Sequence, residues 1–226
     1  MHGKAVVVTG ASGALGKVVA DAAVARGARV AGINRAAAKG GATADRIDLG
    51  GVDLSDAAQA SRAVDAAAAH FGRLDALINI AGAFTFETVA DGDPKTWQRL
   101  YAINVTTALN ASRAAIPYLV ASGAGRIVNI GAVAALQAGS GMGAYAASKA
   151  GVHRLTEALA AELKGKVTVN AVLPSIIDTP ANRRDMPEAD FTAWVTADEL
   201  ANVILFLASD AASAVTGALL PVRGRI

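Results

Sequence analysis

Cysteine is absent from the chain, which excludes a disulfide scaffold, a thiolate metal site and a cysteine nucleophile. Its absence is compatible with a reducing compartment. Histidine is scarce, and His2, His70 and His153 have no ligand spacing, so no metal site is expected. Aromatic residues make up only 4%, so the core must be built from small and β-branched side chains. Charged residues are 18%, with a net charge of +2 and no basic run, which leaves no footprint for nucleic acid. What fills the chain is alanine, 55 of 226 residues, together with 23 glycines. A hydrophobic share of 53% excludes intrinsic disorder. The length fits one large domain over residues 1–226.

Long apolar runs are also lacking. Ile127 to Ser148 is 22 residues without a charge, long enough to span a bilayer. Asn129, Gln137, Ser140 and glycines at 131, 139, 141 and 143 interrupt it, so a strand and a glycine-rich loop describe it better. The N-terminal MHGKAVVVTG enters a strand directly and has no signal-peptide core. The expectation is a cytoplasmic protein with neither membrane nor nucleic acid as partner.

Short apolar runs alternate with helical stretches. The strands are expected at Ala5–Thr9, Arg29–Ile33, Gly51–Asp53, Ala76–Ile80, Arg126–Ile130, Val167–Leu173 and Leu219–Val222. Helices are expected at Leu15–Arg26, Ala57–Phe71, Pro94–Ser122, Tyr145–Lys164 and Thr196–Leu207. Continuous β-branched strands alternating with helices indicate βαβ units and a mostly parallel sheet of seven strands. The stretch between the second and third strands is Ala/Gly-rich, so a helix there would be stunted. The polar segment around 175–195, with Pro180 and Pro187, could form a substrate lid.

The first strand runs into Thr9-Gly10-Ala11-Ser12-Gly13-Ala14-Leu15-Gly16, and a helix follows. Gly10 permits the tight turn, Gly13 lets a pyrophosphate approach backbone, and Gly16 packs helix on strand. Ser12 and Leu15 belong to the same turn, and the helix N-terminus offers free N–H groups. The second strand ends at Asn34-Arg35. Asn34 lacks the charge that would bind a ribose 2′-hydroxyl, and Arg35 could grip a 2′-phosphate, so NADP(H) is favoured and NAD(H) is possible. Asp53, with Leu54 beside it, closes the third expected strand, where a carboxylate can accept from an adenine amino group. Asn79 can hold neighbouring strands together, and the small Ala81 and Gly82 would let backbone lie against the cofactor.

Tyr145-Ala146-Ala147-Ser148-Lys149 opens a helix, and positions i and i+4 share a face. A lysine ammonium beside a phenol stabilises phenolate and would lower the Tyr145 pKa. Such a tyrosine can exchange a proton with a substrate oxygen.

These residues resemble the short-chain dehydrogenase/reductase family along essentially the whole chain. The motifs are TGASGALG (9–16), Asp53, NIAG (79–82), Asn104 in YAINV, RIVNI (126–130), YAASK (145–149) and LPSIIDT (173–179). The resemblance implies a single-domain, doubly wound Rossmann fold and hydride transfer between NAD(P) and a small-molecule carbonyl, alcohol or related C=N group. It implies Tyr145 as acid/base, Lys149 on the nicotinamide ribose, Asn104 holding a water of the proton relay, and Pro174 and Thr179 at the nicotinamide. It also implies a homodimer or homotetramer built on the Pro94–Ser122 and Tyr145–Lys164 helices.

Three positions depart from the family pattern: Ile80 replaces Asn, Ser175 replaces Gly, and Ala132 stands where the catalytic serine is usual. Losing one oxyanion donor can cost on the order of 10²–10³ in rate. Either Gln137 or Ser140 supplies another donor, or the substrate needs none. Segments 13–16, 141–155 and 171–194 resemble dihydropteridine reductase, which reduces a conjugated C=N system without that serine. A quinonoid pterin reductase is therefore an alternative, although Asn34 replaces the acidic residue expected there. An NADP(H)-sensing regulatory protein with a decaying site is the alternative outside catalysis, motivated by Ala132 and opposed by the retained Tyr145 and Lys149. Trp97, Phe71 and Phe206 are expected as core anchors, Phe84 and Phe86 as walls of a substrate cleft, and His153 as a packing residue.

Overall fold

The computed structural model describes residues 1–38 and 41–226. Among these, seven parallel strands form one sheet in the order β3-β2-β1-β4-β5-β6-β7. The strands are β1 (Ala5–Thr9), β2 (Arg29–Ile33), β3 (Arg46–Leu49), β4 (Ala76–Asn79), β5 (Gly125–Ile130), β6 (Val167–Pro174) and β7 (Leu219–Val222). The order reverses between β1 and β4, and at such a switch point a crevice opens beyond the strand C-termini.

Helices cover both faces. On one lie α2 (Ala57–Phe71), α4 (Thr107–Ala121) and the end of α5 (Gly143–Glu162), packed through alanines such as Ala60, Ala67, Ala111 and Ala115. On the other lie α1 (Ala14–Ala25) and α7 (Ala197–Leu207). Two short helices complete the chain, α3 (Pro94–Tyr101), whose Arg99 lines the crevice, and α6 (Pro180–Asp185) after β6. Small side chains on both partners let these elements close with little aromatic filler, Phe71 of α2 being a buried exception. No helix among the described residues is long and apolar enough to cross a membrane.

Three expectations are corrected. The third strand is Arg46–Leu49, not Gly51–Asp53. It is an edge strand that alternates rather than running apolar: Ile47 and Leu49 pack on the core, while Arg46 and Asp48 pair with each other at 3.2 Å. Gly51, with φ +72°, ends the extended run, and Asp53 follows in a loop. The long helix expected over 94–122 is interrupted by a π turn, Ala102–Thr106. Such turns often mark functional sites, and here it carries Asn104. Trp97 and Phe206 are also not core anchors, being 42% and 45% exposed, whereas Phe71 is buried.

Candidate active site

At the switch point a cleft of about 550 Å³ opens. Its floor is the glycine turn, with Gly10, Ser12, Gly13, Leu15 and Gly16. Gly10 has φ +69°, and a Cβ there would stand 3.0 Å from the Ala81 backbone. A Cβ on Gly16 would strike the Gly10 carbonyl, so helix and turn meet as bare backbone. Gly13 caps α1 without a side-chain hydrogen bond, leaving the first N–H groups of the helix directed at the cleft.

One wall comes from Asn34, Arg35, Asp53 and Leu54, the other from Ala81 and Gly82. Asn34 is buried, and its carbonyl oxygen accepts the Ser12 N–H at 2.7 Å. It thus shapes the glycine turn. Arg35 is exposed. The Asp53 carboxyl is held below its usual range, mainly by the Ser55 hydroxyl and N–H, with a smaller contribution from Arg35. Leu54 is buried, and the loop is pinned by Asn110, whose Nδ2 donates to the Leu54 and Ser55 carbonyls at 3.0 Å each. Arg99, Ile103 and Thr107 also line the cleft. Nothing in the pattern of a long amphipathic helix singled these out.

Asn79 does not line the cleft. Its Nδ2 donates to Asn129 Oδ1 at 2.9 Å and to Ser112 at 3.2 Å, tying β4 to β5 and α4. Pro174 ends β6, and the Thr179 hydroxyl caps α6 through the Asn182 N–H. Both lie outside the glycine-floored cleft.

Beyond Gly82 stands a polar cluster. A Cβ on Gly82 would come 2.6 Å from Asn104 Oδ1 and 3.5 Å from Lys149 Nζ. Asn104 Oδ1 accepts the Ala83 N–H at 2.8 Å, and its Nδ2 donates to the Ala83 carbonyl and to Ser148 Oγ. These bonds pin the π turn to the segment after β4. Ser148, one turn from Tyr145, donates back to the Tyr145 carbonyl at 2.7 Å. Sequence reading assigned it no role. Lys149 is buried and donates to the Ile130 carbonyl at 2.8 Å. Burial brings its ammonium down to about 8, so it stays charged near neutrality.

The expected lowering of the Tyr145 pKa is corrected. Burial pushes the hydroxyl up to about 12 and is the one cause acting on it. The ammonium is drawn to Ile130 rather than to the phenol. The Tyr145 ring packs edge-on against Phe84, centroids 5.0 Å apart, and Phe84 and Phe86 are otherwise exposed.

A family model described as short chain dehydrogenase matches residues 4–190. The protein belongs to the short-chain dehydrogenase/reductase family. Galactitol 2-dehydrogenase (L-tagatose-forming) of Cereibacter sphaeroides is 37% identical, over 99% of this chain and 95% of its own length. A 3-oxoacyl-acyl-carrier-protein reductase of Escherichia coli is 32% identical, over 99% and 97%. Among solved structures, Thermoplasma acidophilum aldohexose dehydrogenase has a TM-score of 0.89 at 30% identity, covering 99% of this chain and 93% of that one. Carveol dehydrogenase from Mycobacterium avium, in complex with NAD, has a TM-score of 0.86 at 28% identity, over 99% and 97%. The chain is thus an oxidoreductase of a family that uses nicotinamide cofactors.

In this family member, Ala132 is buried and its N–H donates to His153 Nε2 at 3.3 Å. Gln137 and Ser140 are both exposed. Ser175, another departure, donates its hydroxyl to the Arg223 carbonyl at 2.7 Å and joins β6 to the chain beyond β7.

Proposed function

We propose that the protein is an NADP(H)-preferring oxidoreductase acting on a small carbonyl or alcohol, or on a conjugated C=N compound. The observation that carries this reading is the Asn104–Ser148–Tyr145–Lys149 cluster set against Gly82, at the end of a cleft rimmed by Arg35. The cleft suits a dinucleotide: bare glycine backbone, uncapped helix N–H groups and an oriented Asp53 carboxylate are the donors and acceptors it needs. Gly10, Gly13 and Gly16 would cradle the pyrophosphate, Asp53 the adenine and Arg35 a 2′-phosphate. Asn34 is uncharged, and its side-chain oxygen is taken by the Ser12 N–H, so it would not repel that phosphate.

When bound, the coenzyme supplies or accepts the hydride. Tyr145 then holds the proton at its hydroxyl and passes it to the substrate oxygen or nitrogen. Lys149, one turn away with its ammonium on the Ile130 carbonyl, keeps a positive charge beside the site. Asn104 has its carboxamide engaged with Ala83 and Ser148, so a relay water would be held by its remaining oxygen lone pair or its backbone carbonyl.

Ala132 favours the C=N member of the substrate class, since a C=N nitrogen is more basic than a carbonyl oxygen and can take its proton as the hydride arrives, so little negative charge needs an extra donor. A quinonoid dihydropterin is one such compound. The segment around 175–195 serves as the lid, braced by the Asp178–Arg183 ion pair and by Arg183 over Phe191. Assembly is as a dimer or tetramer through α3, α4 and α5, and the exposed Trp97 and Tyr101 of α3 and Val120 of α4 support it.

The test is NADPH and NADH oxidation with a panel of ketones, quinones and quinonoid dihydropterin. Turnover with NADPH that falls roughly 10²–10⁴-fold in Tyr145→Phe is expected. NADPH binding without turnover on any compound would move the protein to a sensing role.

A further inference from the structure

Helix α5 holds the end of β5 at successive turns of one face. Thr156 Oγ1 accepts from the Asn129 side chain at 2.9 Å, His153 Nε2 accepts the Ala132 N–H at 3.3 Å, and Lys149 donates to the Ile130 carbonyl at 2.8 Å. The intervening Gly131 donates its N–H to Val172 on β6 at 2.8 Å. A Cβ on Gly131 would land on the His153 ring. The imidazole therefore sits flush against bare backbone, and it is 2% exposed.

The hydrogen bond fixes the ring chemistry. An Nε2 that accepts belongs to a neutral imidazole with its proton on Nδ1. Burial, then the positive charges of Arg154 and Lys149, keep it neutral by bringing its pKa down to about 4. The Ala132 amide is committed to this bond, so Ala132 offers a substrate neither a hydroxyl nor a spare N–H.

We infer that His153 is a positioning residue for the redox reaction: by accepting the Ala132 amide it fixes the Ile130–Ala132 backbone, and with it the carbonyl that holds the Lys149 ammonium a turn from Tyr145. This rests on the proposed hydride-transfer function. His153 touches neither substrate nor coenzyme in this role. It acts through the strand end, and shifts of about an ångström there are enough to slow a reaction up to about 10²-fold.

The test uses substitutions at one position. His153→Gln puts a carbonyl oxygen at about the reach of Nε2, His153→Asn is too short, and His153→Leu keeps bulk without an acceptor. Hydrogen exchange of the Ala132 amide, read by NMR, is expected to accelerate at least roughly tenfold in the Asn and Leu variants and to stay near wild type in the Gln variant. With a substrate found by the NADPH panel, kcat should fall roughly tenfold or more in Asn and Leu, KM for NADPH should hold within about twofold, and Gln should recover most of the loss. If Leu does not fold, the Gln and Asn pair decides. Unchanged kcat and exchange in Asn, or a folded Gln variant as impaired as Asn, overturns the inference. If wild type turns over no compound faster than Tyr145→Phe, the proposed function fails, and the exchange arm still decides whether His153 holds Ala132.

Discussion

Lys149 gives its ammonium to the Ile130 carbonyl at 2.8 Å while standing one helical turn from Tyr145, whose hydroxyl burial pushes up to about 12. The pair that the spacing suggested as a ready phenolate is therefore a neutral phenol beside a cation engaged elsewhere. In coenzyme-free protein, the ultraviolet difference titration between wild type and Tyr145→Phe should show the Tyr145 phenolate only above about pH 11. A phenolate signal from Tyr145 between pH 6 and 8 would contradict this arrangement.

Arg35 stands exposed on the cleft wall near Asp53. A charged hydrogen bond to a 2′-phosphate is worth about 1.5–3 kcal/mol, or roughly 10- to 100-fold. Arg35→Ala should therefore raise KM for NADPH by that factor and leave KM for NADH within about twofold. Equal losses with both coenzymes would place Arg35 outside 2′-phosphate recognition.

The parts of the site carried by local sequence were legible: Gly10, Gly13 and Gly16 as a turn before a helix, and Tyr145 and Lys149 as one helical face. What was not legible depends on packing between distant segments. Ser148 gains meaning only because the π turn brings Asn104 to it. His153 looked like core filler because Ala132, 21 residues earlier, becomes its donor through sheet geometry alone. β3 escaped because an edge strand with the half-buried Arg46 and Asp48 on the side of α1, Arg46 pairing with Asp21 there, lacks the apolar run that marks the buried strands.

Asn79, Asn129 and Thr156 form a buried relay across β4, β5 and α5, with Thr156 Oγ1 donating in turn to the Val152 carbonyl at 2.8 Å. Thr156→Val keeps the shape and removes the acceptor for Asn129 Nδ2. Leaving a buried donor unpaired costs about 1–3 kcal/mol. Denaturant unfolding should show a loss of that size. Unchanged stability would mean that Asn129 has found another acceptor.

His153 makes stability depend on pH with a definite sign. An unfolded histidine titrates near 6.5, whereas in the fold it is brought down to about 4. Between these values the unfolded chain takes up a proton that the fold refuses, so acidification favours unfolding. The contribution is fully present above about pH 6.5 and is lost as pH falls towards 4, on the order of 1 kcal/mol per pH unit. Most carboxylates do not yet titrate between pH 6.5 and 5, so that interval isolates the effect. His153→Gln keeps the Ala132 contact and does not titrate. Its unfolding free energy should fall less over that interval than that of wild type, by about 1.5 kcal/mol. Parallel pH profiles for the two proteins would show that His153 is not held neutral against Ala132.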